Sequence, residues 1–342
     1  STMEKKAINF SEISVKGEPT PTLIDEAVQK VRNHKLDVVV GIGGGSVIDA
    51  GKAISAMLTK GDSIKNYLEG VGLKTHDGRK IPYIAIPTTS GTGSEATKNA
   101  VITEVGIDGF KKSLRHENLI PNYAIVDPEL VLSCPKSTSA SCGMDAFTQL
   151  LEAFVSPKAS LVSDALAKSG MNQIKDALIP VCNDKTLDIT TRAAMAYGSL
   201  MSGIVLANAG LGVVHGFASS IGGMFKVPHG VVCGTLLAES TRMNLKKLKQ
   251  LGTEGKKGLL KHAIVGALIE GNESLEGLDV SYYCSVLIDT LTKWTNQLKI
   301  DRLSEYGITT ADIDEIVKKT SLKNNPVHLK PEDLKEILTN RL

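Results

Sequence analysis

What this sequence has little of narrows its class before any motif is considered. Neither sign of charge is in real excess: 39 Lys and Arg stand against 37 Asp and Glu, a formal net charge of +2. That balance, with no long basic run, points away from nucleic acid and from a membrane surface. Cysteine is sparse. Cys134, Cys142, Cys182, Cys233 and Cys284 are odd in number, widely spaced and never CxxC, which argues against a disulfide framework or a zinc knuckle. No uninterrupted apolar run reaches membrane-spanning length and no N-terminal stretch reads as a signal peptide, so a reducing cytoplasm is the expected compartment. Internal repeats and low-complexity segments are also missing. One tryptophan against 32 glycines suits an enzyme scaffold better than a repeat or fibrous protein.

What is present is an ordinary globular composition, 42% hydrophobic and 22% charged over 342 residues, enough for two domains. The first third alternates helix and strand signals. Leu23–Arg32 has helical spacing behind a Pro21-Thr22 start, and Asp37–Ile42 is an apolar run expected as a parallel strand covered on both faces. Val47–Leu58 is helical in period, Ile81–Ile86 is a second buried strand, and Ala124–Val126 a third. Such alternation predicts a doubly wound α/β, Rossmann-like domain. Its opening strand-helix unit is expected to be missing, because little strand signal precedes Pro19. From Pro135 onward helical spacing of Ala, Leu, Gly and Ser dominates, and the small residues of Ser199–Gly223 should let helices pack closely. The expected division is 1–134, a dinucleotide-binding domain, and 135–342, an all-helical domain for metal and substrate, with the site in the cleft between them.

Four segments could carry chemistry. In DVVVGIGGGSVIDAGKA, a strand runs through Gly41, Gly43, Gly44, Gly45 and Ser46 into a helix, which aims backbone amides at an anion. The spacing is neither the ordinary GxGxxG nor a Walker loop, so a phosphate cradle and an empty glycine turn both remain open. PTTSGTGSEAT, Pro87–Thr97, follows a second strand with six hydroxyls and two glycines; it suits ribose and phosphate, or it simply caps a helix. In Gly143–Ser156, Asp145 and Gln149 share a helix face with Glu152 near it, although a carboxylate near a helix start has a plain electrostatic explanation. His215 and His229 lie in apolar, small-residue surroundings, where a hydrogen-bonded core histidine is the common outcome. With Asp145 they also match a borderline divalent metal site of nitrogen and oxygen donors without thiolate. His34, His76, His116, His262 and His328 sit in polar or loop contexts and receive no role. Lys111, Lys112, Arg115 and His116 form a basic cluster that is either a solvated face or a meeting point for phosphate or an anionic substrate.

Taken together, GGGSVIDAGKA, PTTSGTGSEAT, AIVDPEL, CGMDAFTQLLEAFVS, NAGLGVVHG and VPHGVVCG resemble the iron-containing (group III) alcohol dehydrogenase family, from about Pro19 through NNPVHLKPEDLKEIL. The resemblance implies a dehydroquinate synthase-like fold and an NAD(P)-dependent, metal-assisted alcohol dehydrogenase or aldehyde reductase for a small alcohol or aldehyde. It assigns Gly43, Gly44, Gly45 and Ser46 to the cofactor diphosphate with Asp49 behind them, Thr88, Thr89 and Thr92 to the adenosine and phosphate side, and Asn99 and Lys111 to the nicotinamide ribose. Asp145, His215 and His229 fall on metal ligands, for Fe2+ or Zn2+. Two positions depart from the family pattern: Gln149 stands where a ligand histidine is usual, and Ser219 where many members carry a proton-relaying histidine. At the adenine ribose, Ser11 would admit NADP and Glu12 would favour NAD. A homodimer is implied. Two rival readings keep the fold: a lyase of the dehydroquinate synthase type using NAD transiently, and a catalytically impaired cofactor-binding homologue.

Overall fold

The computed structural model describes residues 6, 8–106, 108–183, 188–272, 274 and 276–342. Helix α1 (Pro21–Val31) starts where the Thr20 hydroxyl accepts from the Leu23 amide at 3.1 Å and Pro21 sets the first helical φ. Its Ile24, Ala27 and Val28 pack on helix α2 (Gly45–Met57), which is entered directly from strand β1 (Val39–Gly43). Strand β1 pairs in parallel with β2 (Tyr83–Pro87), Val39 opposite Tyr83 through Gly43 opposite Pro87. The chain then leaves the sheet for an antiparallel hairpin, β3 (Asn99–Glu104) and β4 (Phe110–Arg115), and returns as β5 (Tyr123–Ala124) on the far side of β2.

Two expectations are corrected here, and one segment gains a strand assignment. Strand β1 is not covered on both faces: Val40 is 39% and Ile42 57% exposed, because β1 is the edge strand and nothing described covers that side. The third parallel strand is shorter than Ala124–Val126 and starts one residue earlier, although the Ile125 amide continues the pairing to Ala85 O at 2.9 Å. The basic cluster is half of a hairpin, with Leu114 fully buried between Ser113 and Arg115, and Ala100 and Ile102 buried on β3. The charges of FKKSLR masked the strand, in which only Leu114 is fully buried.

Two of the glycines serve packing. The Tyr83 ring is buried between β2 and α2 and donates its hydroxyl to Ile48 O at 2.8 Å. A Cβ on Gly41 would come within 2.3 Å of Tyr83 Oη, and one on Gly51 within 2.7 Å, so both positions are cleared for that ring.

From Lys136 the chain is helical: α3 (Lys136–Val155), α4 (Leu161–Asn183), α5 (Ile189–Ala209), α6 (Val213–Met224), α7 (His229–Gln250), α8 (Lys256–Ile269), α9 (Val280–Gln297), α10 (Ile313–Lys319) and α11 (Pro331–Thr339). Helix α3 is the axis, enclosed by α4, α5 and α7, with Phe147 edge-on to Trp294 at 4.9 Å. Small residues permit the approach: a Cβ on Gly143 would meet Leu178 at 2.4 Å, and one on Gly198 would meet Ile174 at 2.4 Å. Among the described residues the two halves meet at several places, including the approach of Gly91 to Cys142 on α3, and two of the contacts are close. Strand β4 lies on α6, where Gly222 and Gly223 face Lys111 and Phe110. The hydroxyl-rich loop lies on α5, where Gly93 (φ 60°) meets Gly203 backbone to backbone. Among the described residues no single helix is long and apolar enough to cross a membrane.

Candidate active site

A cleft of about 550 Å³ lies between the halves. One wall is the end of the parallel sheet, as expected for a ligand site in an α/β domain. Of the residues expected there, Gly45, Ser46, Asp49, Thr92, Asn99 and Lys111 line the cleft. Gly43, Gly44, Thr88 and Thr89 build the turn instead. The Thr88 amide donates to Gly43 O at 2.9 Å, and a Cβ on Gly44 would sit 3.3 Å from the Thr89 side chain. Gly44 caps α2 without a side-chain acceptor, so the helix offers its first amides and its positive end to the cleft. At Gly45 a Cβ would lie 2.6 Å from Thr92 Cγ2, so the two loops can touch only with glycine there. Ser11 and Glu12 do not line the cleft; Ser11 Oγ meets His34 Nδ1 at 3.4 Å.

Behind this wall is a buried ionic knot that the sequence reading missed. Lys52 is fully buried, and its ammonium reaches Ser94 O at 2.8 Å, Ser94 Oγ at 3.1 Å, Thr97 Oγ1 at 3.0 Å and Asn99 O at 2.7 Å. Burial pushes its pKa down to about 8, with Asp49 at 3.8 Å resisting. Asp49 is engaged on both oxygens, by Ser94 Oγ and by the Val101 amide at 3.0 Å, and burial raises its pKa in spite of Lys52. The knot therefore fastens the hydroxyl-rich loop and β3 to the glycine-opened helix. An i,i+3 Asp-Lys pair inside a helix that is otherwise apolar was the available signal. Asn99 Oδ1 is buried without a donor in the protein. A cleft-lining acceptor left in that state fits a ligand that brings hydroxyl or carboxamide donors, as a nicotinamide dinucleotide does.

The opposite wall holds a donor cluster. Asp145 on α3, His215 on α6, and His229 and Cys233 on the first turns of α7 bring their ligating atoms within 4.8 Å of one another. His215 Nε2 is 3.3 Å and His229 Nε2 3.7 Å from Asp145 Oδ1, and Cys233 Sγ is 3.7 Å from each imidazole Nε2. Glu152, two turns beyond Asp145, holds His215 Nδ1 at 2.7 Å and accepts from the Val214 amide at 2.7 Å. That carboxylate fixes the ring so that Nε2 faces the cluster, the usual support for a metal-bound histidine.

The electrostatics follow from burial and proximity. Burial alone would raise the Asp145 carboxyl, but His229 and His215 hold it well below the usual carboxylate range. Burial would lower His215, yet Cys233, Asp145 and Glu152 raise it well above an ordinary histidine. Burial pushes His229 down to about 4 against the pull of Asp145. A buried carboxylate, two imidazoles and a thiol in one pocket suit a borderline divalent cation, so the donor set fits a metal ion.

The sequence reading expected oxygen and nitrogen donors only. Cys233 was passed over because only CxxC spacing was considered, whereas His229 and Cys233 are one helical turn apart. Gln149 lines the cleft with His215 and His229, and its amide is engaged within the protein: the nitrogen donates to Gly91 O at 3.5 Å and the oxygen accepts from Ser202 Oγ at 3.3 Å. Ser219 lines the cleft, donating to His215 O at 2.9 Å and accepting from Lys323 Nζ at 3.3 Å. His76 and His262, read as polar-context residues, are both buried.

Comparison with known proteins agrees with this architecture. The family model described as iron-containing alcohol dehydrogenase matches residues 1–128, and its C-terminal counterpart matches 139–342. Long-chain-alcohol dehydrogenase 1 of Geobacillus thermodenitrificans is 32% identical over 94% of this chain and 78% of its own length. The NAD-dependent methanol dehydrogenase of Bacillus methanolicus is 31% identical over 95% and 82%. Among solved structures, a 1,3-propanediol oxidoreductase superposes with a TM-score of 0.86 at 27% identity, covering 99% of this chain and 86% of that one.

Proposed function

We propose that this chain, which belongs to the iron-containing alcohol dehydrogenase family and is an oxidoreductase acting on alcohols, uses a nicotinamide dinucleotide in its cleft to interconvert a small alcohol and its aldehyde or ketone. Asp145, His215 and His229 would hold the divalent ion, and Gly45, Ser46, Thr92, Asn99 and Lys111 would hold the dinucleotide. When bound, the ion supplies Lewis acidity toward the substrate oxygen and the nicotinamide ring exchanges the hydride. The rest falls to the chain. Glu152 keeps His215 oriented, and the α2 amides take the diphosphate. Ser219 Oγ, backed by Lys323, moves the proton to and from the mouth of the cleft, where other family members use histidine.

The observation that carries the reading is that His215 and His229, clustered with the buried Asp145, line the same cleft as Gly45 and Ser46 of the glycine turn. The test is His215→Ala. Stoichiometric metal and NAD(P)H-linked reduction of an aldehyde panel should both be lost, while NADH titration still shows an intact cofactor wall. Turnover that persists in metal-free H215A protein would defeat it.

A further inference from the structure

We propose that Cys233 supplies the fourth donor to the metal, in the role that position 149 would fill with a histidine. This deepens the metal reading above and rests on it.

Three observations carry it. The first is geometric. Tetrahedral ligation with metal–nitrogen distances of about 2.0–2.1 Å and metal–sulfur of about 2.3 Å requires donor atoms about 3.3–3.6 Å apart. The separations of Cys233 Sγ from His215 Nε2 and from His229 Nε2 are both 3.7 Å, and His215 Nε2 to Asp145 Oδ1 is 3.3 Å. With His229 Nε2 3.7 Å from Asp145 Oδ1, four of the six donor separations lie within about 0.4 Å of those of a ligand tetrahedron, and all six lie within 4.8 Å. The second is the register of α7: His229 and Cys233 are four residues apart, so the helix projects both to one side and chelates with a rigid spacing. The third is that the expected ligand is otherwise employed. Gln149 spends its amide on Gly91 O and Ser202 Oγ, whereas Cys233 is fully buried with the two imidazoles as its hydrogen-bonding neighbours.

As the metal–sulfur bond forms, the Cys233 thiol proton leaves to solvent. Two anionic donors, Asp145 and Cys233, then balance a divalent ion. Sulfur also softens the donor set, which favours zinc over an ion bound only through oxygen and nitrogen.

Cobalt(II) loading of the purified metal-free protein tests this without relying on turnover. Wild-type protein should take up one equivalent and develop the visible ligand-field bands of a low-symmetry cobalt site together with an intense near-ultraviolet thiolate-to-cobalt charge-transfer band. Cys233→Ser should lose the charge-transfer band, keep the ligand-field bands and bind cobalt at least tenfold more weakly; Cys142→Ser, at the nearby loop contact, should change neither. Stoichiometric cobalt without a charge-transfer band in the wild type, or a band that survives C233S, would overturn the role of Cys233 and leave the Asp145, His215 and His229 site standing. Failure of the wild type to bind cobalt at all would instead remove the metal reading itself.

Discussion

The two walls of the cleft are built from opposite materials. The sheet-side wall offers backbone amides and hydroxyls on two loops, and a buried Lys52–Asp49 knot holds those loops together from behind. The helical wall offers side chains alone, from three helices, and a single carboxylate, Glu152, props one of them. Backbone recognition needs its loops fixed as a unit, whereas side-chain recognition needs each rotamer fixed. Damage should therefore stay on the wall where it is made.

The largest effect is expected from Lys52→Met. It leaves Asp49 buried without its cation and removes the ammonium donor from the Ser94 and Asn99 carbonyls, which costs about 3–5 kcal/mol. The urea midpoint should fall and NADH affinity collapse, while cobalt or zinc stoichiometry of the folded fraction stays the same. Metal loss in parallel with cofactor loss would break the separation of the walls.

Next comes acid. His262 on α8 is buried, bonded to Gly258 O at 2.7 Å, and its pKa is pushed down to about 4 by burial. Unfolding lets it take up a proton below about 6.5, so the stability tied to the neutral ring is full above that pH and is lost as the pH falls toward 4. Complete loss amounts to about 3 kcal/mol. His262→Asn should flatten the difference between unfolding midpoints measured at pH 7 and pH 5.

Glu152→Gln should weaken metal binding about 10–100-fold, because His215 loses its charged partner, with NADH affinity unchanged. Chelator competition and cofactor titration on the same sample decide it. The smallest effect belongs to Gly45→Ala. Its methyl presses on Thr92, an overpacking worth about 1–3 kcal/mol that is felt in cofactor binding only. Thr92→Ala in the same chain should restore much of that affinity, giving a coupling a double-mutant cycle can read.

How far the sequence revealed these walls depended on how local the information was. The strand, glycine turn and helix from Val39 to Met57 were legible because every signal lies within one βα unit. The start of α7 at His229 rests on local information as well, since Pro228 precedes it. What stayed hidden needed partners from far along the chain. Gln149 bonds Gly91, 58 residues away, and Glu152 meets His215 across 63. Gly41 belonged to the candidate phosphate turn until Tyr83 proved to fill the space beside it. Cys233 was different: its helical spacing from His229 was there to be read, and attention to CxxC pairs hid it.

The contact of Gly93 with Gly203 has a consequence for how this enzyme can change. A Cβ on Gly203 would stand 2.1 Å from Gly93 O, and one on Gly93 2.4 Å from Gly203 N, so main chain rests on main chain with nothing between. The contact acts as a mechanical stop. Substitutions along the cleft can alter which substrates fit, but the gauge between dinucleotide and metal is set by two peptide planes that no side-chain replacement can trim.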